Sequence, residues 1–315
     1  KSYQIGVAAS GIDRELFTML DVYKSVYNLT GQPFRLGPDY RFSFGHQTYN
    51  DAKSYLKYAI SEGEGIVAIT GAPGTGKTTL ISSLISELDN NHVHVGVVTN
   101  VQLDSSNLLD MVIDALSLTI DRSDIVSAMQ GFKLYLRHKY EKGRRVILIV
   151  DEAQGLTPEL LEELRLFSNF QHDSNLLLQI FLVGQEPLMD IVRSPGMEQL
   201  HQRLIAAAQL EPLNFEQTVD YVMHRLSCVG WKNDPAFTDE AFSLIHKFSA
   251  GVPRRINLIC HRLFLHAGLK ERHELVGGDA LNVIVELHKE GLLTHVAKQA
   301  LGEYVGGIKG LAANS

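Results

Sequence analysis

Short apolar runs recur through the first two thirds of the chain, and between them apolar residues return every three or four positions. Ile66–Thr70, Val93–Thr99, Val146–Val150, Leu176–Val183 and Ile205–Leu210 are compact and rich in β-branched residues. Runs of this length without strict alternation fit strands covered on both faces, as in a parallel sheet. Leu80, Ile81, Leu84, Ile85 and Leu88 form one helical stripe, and Leu108, Leu109, Val112, Ile113 and Leu116 form another. Leu160, Leu161, Leu164 and Phe167 make a third, opened by Pro158 at a first-turn position. Strands alternating with helices predict an α/β core with a parallel sheet between helical layers.

Beyond Leu210 the strand pattern stops. Asn214 followed by Gln217 suits the start of a helix through Leu226, and Thr238 can cap a second that carries Phe242, Ile245 and Phe248. A third is expected from Pro253 to about Leu269, and a fourth capped by Asp279 and reaching about Leu292. The expected division is an N-terminal segment 1–45, an α/β core 46–210, a small all-helical domain 211–292 and a tail 293–315. In the tail, Val296, Ala300, Leu301 and Tyr304 could form a weak amphipathic helix or fray.

Composition narrows the class without naming a chemistry. Hydrophobic residues make up 45% and charged residues 21% of 315, a globular balance that excludes wholesale disorder. Two cysteines, Cys228 and Cys260, cannot build a disulfide framework or a four-cysteine zinc site, and suggest a reducing compartment. No uninterrupted apolar run exceeds five residues, far below the roughly 18 of a spanning helix. A formal net charge of −7 argues against a surface built wholly around nucleic acid, although a local basic patch survives that balance.

The chemistry enters directly after the first strand. Gly71-Ala72-Pro73-Gly74-Thr75-Gly76-Lys77-Thr78 matches the Walker A pattern at every fixed position, with Thr79 following it into a helix. Glycines let the backbone bring amide hydrogens onto phosphate oxygens, and the helix points its positive end at the same anion. Lys77 would reach the β- and γ-phosphates of ATP, and Thr78 would place its hydroxyl on Mg2+. Val146-Ile147-Leu148-Ile149-Val150-Asp151-Glu152 has the form of a Walker B strand. There Asp151 would hold the metal and Glu152 would act as general base on water, which favours hydrolysis over binding alone.

With both motifs the chain resembles the AAA+ ATPases, a P-loop fold of three layers followed by a helical lid. Tyr27-Asn28-Leu29-Thr30-Gly31-Gln32-Pro33-Phe34, Asp151-Glu152-Ala153-Gln154, Leu182-Val183-Gly184-Gln185 and Gly251-Val252-Pro253-Arg254-Arg255-Ile256-Asn257 are similar to the general secretion pathway protein A (ExeA-like) ATPases. With Leu164-Arg165-Leu166-Phe167-Ser168-Asn169-Phe170, the spread most resembles their branch associated with exosortase/PEP-CTERM exopolysaccharide systems. The resemblance implies that Asn100 restrains the catalytic glutamate and that Gln185 senses the γ-phosphate. It implies that Arg203 is a finger acting in trans on a neighbouring subunit, with Arg193 in reserve, and that Arg254 is a second sensor. The segment Phe34–His46 would wrap the adenine side, with Phe44, Gly45 and His46 lining the base.

Other constellations are weaker. His92 and His94 lack a third ligand in range, and the five-residue spacing of His261 and His266 does not superpose their rings on a helix. The dense basic cluster Tyr135–Arg145 reads either as a solvated helix end or as a phosphate-backbone contact. The expected function is an ATP-hydrolysing motor or switch, assembled as a homo-oligomeric ring or filament such as a hexamer. It would act on a protein partner of bacterial secretion or exopolysaccharide export, in the cytoplasm or peripheral to the inner membrane through that partner. The alternative is an ATP-dependent adaptor that assembles on duplex DNA, as transposition regulators do.

Overall fold

The computed structural model describes residues 22–37, 39–63, 65–89, 92–99 and 108–293. The chain divides into two compact units, one of residues 38–211 and one that joins residues before 38 to those from 212 onward. The stretch 1–45, expected as one segment, is therefore shared between units.

The first unit is built on five strands: β1 (Ile66–Gly71), β2 (Val93–Val98), β3 (Arg145–Val150), β4 (Leu178–Val183) and β5 (Leu204–Leu210). All are parallel, in the order β2-β3-β4-β1-β5. Parallel neighbours need crossovers, which the helices supply. α1 (Val22–Val26) belongs to the other unit and α2 (Gln47–Glu62) leads into β1, while the connections between strands carry α3 (Lys77–Glu87), α4 (Leu108–Ala115), α5 (Ile125–Glu141), α6 (Pro158–Ser168), α7 (Pro187–Val192) and α8 (Glu198–Gln202). One expected strand is shorter than its apolar run: Asn175–Leu176 folds back antiparallel on Gln171–His172, and β4 starts only at Leu178.

Alternate side chains of the central strands enter two separate cores, as the pleat requires. Val146, Leu148, Val150, Ile180 and Leu182 pack with Phe132, Leu160 and Phe167 beneath α4, α5 and α6. Ile147, Ile149, Phe181 and Ile69 pack with Leu56, Leu80 and Leu84 beneath α2 and α3. This is a three-layer α/β sandwich, and it places the carboxyl ends of β1, β3 and β4 side by side, with Val150 level with Leu182 and Ile69 level with Val183.

The second unit is helical: α9 (Phe215–Ser227), α10 (Asp239–Ser249), α11 (Pro253–Leu269) and α12 (Gly277–Lys289), with α1 against α11. The capping box between Asn214 and Gln217 forms, and Thr238 accepts from the Ala241 amide. Asp279 departs from expectation. It sits inside the first turn of α12, two residues past the helix start, because its carboxylate is taken by Arg272 at 2.7 Å and reaches back to the Val276 amide at 3.4 Å.

Residues 22–37 are pinned to this unit. Tyr27 donates to the Arg272 carbonyl at 2.6 Å, the Arg225 guanidinium donates to the Pro33 carbonyl, and the Phe34 ring lies 5.4 Å from that of Phe264. Phe34 is thus a core residue of the helical unit.

Candidate nucleotide site

The loop after β1 has the shape its glycines were expected to allow. Gly74 and Gly76 take φ of 86° and 103°, conformations that disfavour any side chain. A Cβ on Gly71 would stand 2.5 Å from the Leu210 carbonyl oxygen, so β5 can lie against the loop only while that position is glycine. Gly76 precedes α3 and offers no side-chain cap, which leaves the first amides of the helix to an anion.

Lys77 opens α3 and is 7% exposed. Its ammonium donates to the carbonyls of Gly71 at 2.8 Å and Ala72 at 3.1 Å. Burial pulls its pKa below the usual lysine range, opposed by the nearby carboxylates of Glu152, Asp151 and Glu186. Thr75 turns inward and donates to the Ala72 carbonyl at 2.9 Å, whereas Thr78 is exposed and Thr79 half-buried in the first turn of the helix. A glycine cradle, an uncapped helix start and a buried ammonium fit a polyphosphate, and the exposed threonine hydroxyl that follows Lys77 is the kind of oxygen ligand a hard divalent cation takes. Among the described residues no group of three His, Cys, Asp or Glu could hold a metal on its own.

The end of β3 carries the carboxylates. The Asp151 amide donates to the Val98 carbonyl of β2, and its Oδ1 accepts from the Glu152 amide, both at 2.9 Å. Glu152 sits in the left-handed region with φ 55° and ψ 35°, a strained conformation for a residue with a side chain and common where function over-determines the backbone. Gln185, just past β4, directs its side-chain amide to Glu152 Oε2 at 3.4 Å. Lys77, Asp151, Glu152 and Gln185 thus share one edge of the sheet, the carboxyl edge where open α/β sheets bind ligands.

Two contributors escaped the sequence reading. Glu186 acts on Lys77 electrostatically, and Gln154 bonds both Glu152 and Gln185. The signal for Gln154 lies in the Asp-Glu-Ala-Gln run that follows β3. Asn100 and the C-terminal tail from residue 294 lie outside the described residues.

An AAA domain family matches residues 60–192. The chain is 34% identical over 265 residues to general secretion pathway protein A of Aeromonas hydrophila, which covers 82% of this chain and 47% of that protein. Residues 60–192 are an AAA domain, in a chain similar to the ExeA-like AAA+ ATPases. The chain spans about half the length of that curated relative. Among solved structures it is similar to the Aeropyrum pernix ORC2 protein in its ADPNP-ADP complexes, with TM-score 0.59 and 15% identity over 78% of this chain and 70% of the other. The Thermotoga maritima RuvB Holliday junction branch migration motor follows the same fold, with TM-score 0.53 and 21% identity over 78% of this chain and 70% of the other.

The other residues singled out by the resemblance stand on separate elements. Arg203 follows α8 and opens β5, where its carbonyl accepts from the Ile66 amide at the amino end of β1. At about 3.3 Å per residue the six residues of β1 separate that end from Gly71 by about 17 Å. Arg203 makes no ion pair among the described residues. Arg193 caps the end of α7 and is exposed, and Arg254 is exposed in the first turn of α11 in the helical unit. Phe44 and His46 stack at 6.1 Å just before α2, and burial pushes the His46 pKa down. The turn Tyr40–Phe42 ahead of them packs on α3.

Proposed function

We propose that this chain hydrolyses ATP and uses the cycle to remodel a protein partner in secretion or exopolysaccharide export. The observation that carries the reading is the convergence of Lys77, Asp151, Glu152 and Gln185 at the carboxyl edge of the sheet. Residues 71–79, with Lys77, hold the phosphates of ATP. Magnesium neutralises phosphate charge when bound, and Thr78 and Asp151 are the groups that would hold it. Glu152 takes the proton of the attacking water as its oxygen bonds to the γ-phosphorus. The bond to the bridging oxygen breaks, and ADP leaves with that electron pair. Gln185 orients the water, and Asn100 and Arg254 are proposed to restrain Glu152 and to sense the γ-phosphate from the helical unit.

Arg203 lies too far from its own loop for an arginine side chain to span, which supports its acting on a second copy. A finger in trans makes turnover depend on assembly into a ring or filament. Arg203→Ala is expected to bind ATP as the parent does while its turnover stays at the dilute rate as protein concentration rises. Light scattering and phosphate release, each against concentration, check this; concentration-dependent turnover in the variant removes Arg203 as the finger. The relative's name places that protein in general secretion, which supports an export partner, a cytoplasmic location and attachment to the inner membrane through that partner.

A second reading, assembly on duplex DNA, is favoured by one observation. Lys139, Lys142, Arg144 and Arg145 gather positive charge where α5 meets β3, and burial, then Arg144 and Lys142, hold the Lys139 pKa below the usual lysine range. Part of that cluster is already engaged, since Arg145 donates to the carbonyls of Ile60 and Ser61 and Arg137 pairs with Glu141 at 2.8 Å. DNA titrated against the protein with ATP at several salt concentrations decides between the readings. The export reading expects no ATP-dependent binding, and a steep loss of affinity with salt would favour DNA.

A further inference from the structure

Between the general base and the sensor stands a side chain whose two polar ends are both in use. Gln154 lies in the tight turn Ala153–Gly155 just after the carboxylates. Its Nε2 donates to Glu152 Oε2 at 2.5 Å, and its Oε1 accepts from the Gln185 backbone amide at 2.8 Å. Gln185 Nε2 approaches the same carboxylate oxygen at 3.4 Å. Two amides therefore converge on Oε2, and Oε1 of Glu152 has no protein donor among the described residues.

The backbone around this bridge is fixed at both ends. The Gly155 amide donates to the Glu152 carbonyl at 2.9 Å, and the Gly184 amide donates to the Ile69 carbonyl of β1 at 2.9 Å. Gly184 also makes the room: a Cβ there would stand 2.7 Å from Gln154 Oε1 and 3.2 Å from its backbone nitrogen. A glutamine serving only solubility would leave its amide to water. This one spends both ends inside the site.

We propose that Gln154 is a positioning residue for hydrolysis, one that fixes the rotamer of Glu152 and ties it to the turn carrying Gln185. The proposal rests on the reading of Glu152 as the base. A free glutamate rotates about three side-chain bonds, and proton transfer needs its oxygen within hydrogen-bond reach of the water. With Oε2 held by two amides, Oε1 is presented in one direction. The same bridge makes base and sensor a single unit, so a displacement of Gln185 is felt directly by Glu152.

Gln154→Leu keeps the bulk and removes both hydrogen bonds. Its kcat is expected to fall on the order of 10-fold to 100-fold, the loss that about 1 Å of misplacement brings. KM for ATP and the affinity for a fluorescent ATP analogue should stay within about 3-fold, since no phosphate contact is touched. In a Glu152→Gln background the same change should alter the residual rate by less than about 3-fold, because its route of action is gone. Parent-like kcat in Gln154→Leu, a parallel loss of ATP affinity, or an undiminished effect in the Glu152→Gln background would each overturn the proposal. Full turnover in Glu152→Gln alone would instead remove the reading beneath it. Should Gln154→Leu fail to fold, Gln154→Glu carries the test: it keeps the acceptor for the Gln185 amide, loses the donor to Glu152, and should show the same kcat loss at unchanged affinity.

Discussion

Glu152→Gln is expected to lower ATP turnover by about 10³-fold while ATP stays bound, the middle of the range for removing a general base. The substitution is nearly isosteric, and the bonds that shape the loop do not involve the carboxylate. Lys77 stays on the carbonyls of Gly71 and Ala72, and the Glu152 amide stays on Asp151 Oδ1. What changes is the acceptor for the water proton, together with the charge that faces Lys77. An amide cannot take that proton, so ATP should accumulate on the protein and any ATP-dependent assembly should persist. Phosphate release measured beside retained radiolabelled ATP separates the outcomes, and parent-like release would show that another group activates the water.

Gly251→Ala is expected to destabilise the helical unit by about 3–5 kcal/mol, from the left-handed backbone and overpacking together. Gly251 has φ 69°, and a Cβ there would lie 1.9 Å from the Leu213 carbonyl oxygen and 2.9 Å from its carbon. Neither neighbour can yield cheaply, because both are backbone and the Leu213 amide is held by the Gly251 carbonyl at 2.9 Å. The next residue back offers a control: Ala250 is also left-handed, with φ 51°, but exposed. Ala250→Gly should be neutral or stabilise by up to about 1 kcal/mol, since it relieves strain without filling space. Urea unfolding of both variants tests the pair. An unchanged midpoint for Gly251→Ala would mean the turn between α10 and α11 can shift away from Leu213.

The features legible in the sequence were those whose cause is local. The central strands β1, β3 and β4 are buried along almost their whole length and so are almost entirely apolar, and the phosphate loop must be glycine where φ is positive, so both are written where they occur. The helices α2 and α5 left fainter marks. Ala52 and Ala59 make up part of the buried face of α2, and α5 buries only Ala128, Phe132 and Leu136 while exposing Ile125, Val126 and Leu134. Such faces blur the helical stripe on which the pattern depends.

Partnerships across the chain were not legible at all. Nothing near Phe34 announces that it packs on Phe264, or near Gln154 that its acceptor meets an amide 31 residues later. The break at Leu177 was hidden for a related reason, because the two-residue hairpin that interrupts the run is made by a backbone reversal and not by a change in polarity.

Arg203 is level with the start of β1 and Gly71 stands at its end, so a copy that used Arg203 as a finger would have its donor and its acceptor at opposite ends of the strands. Surfaces that differ in this way join head to tail, not face to face about a twofold axis. With Arg203 as donor, an open row of copies always leaves one terminal loop without an arginine and one terminal arginine without a loop. Closing the row removes that deficit. Short rows would forfeit the largest share of their capacity, and each copy added to a long one would count for nearly a full site.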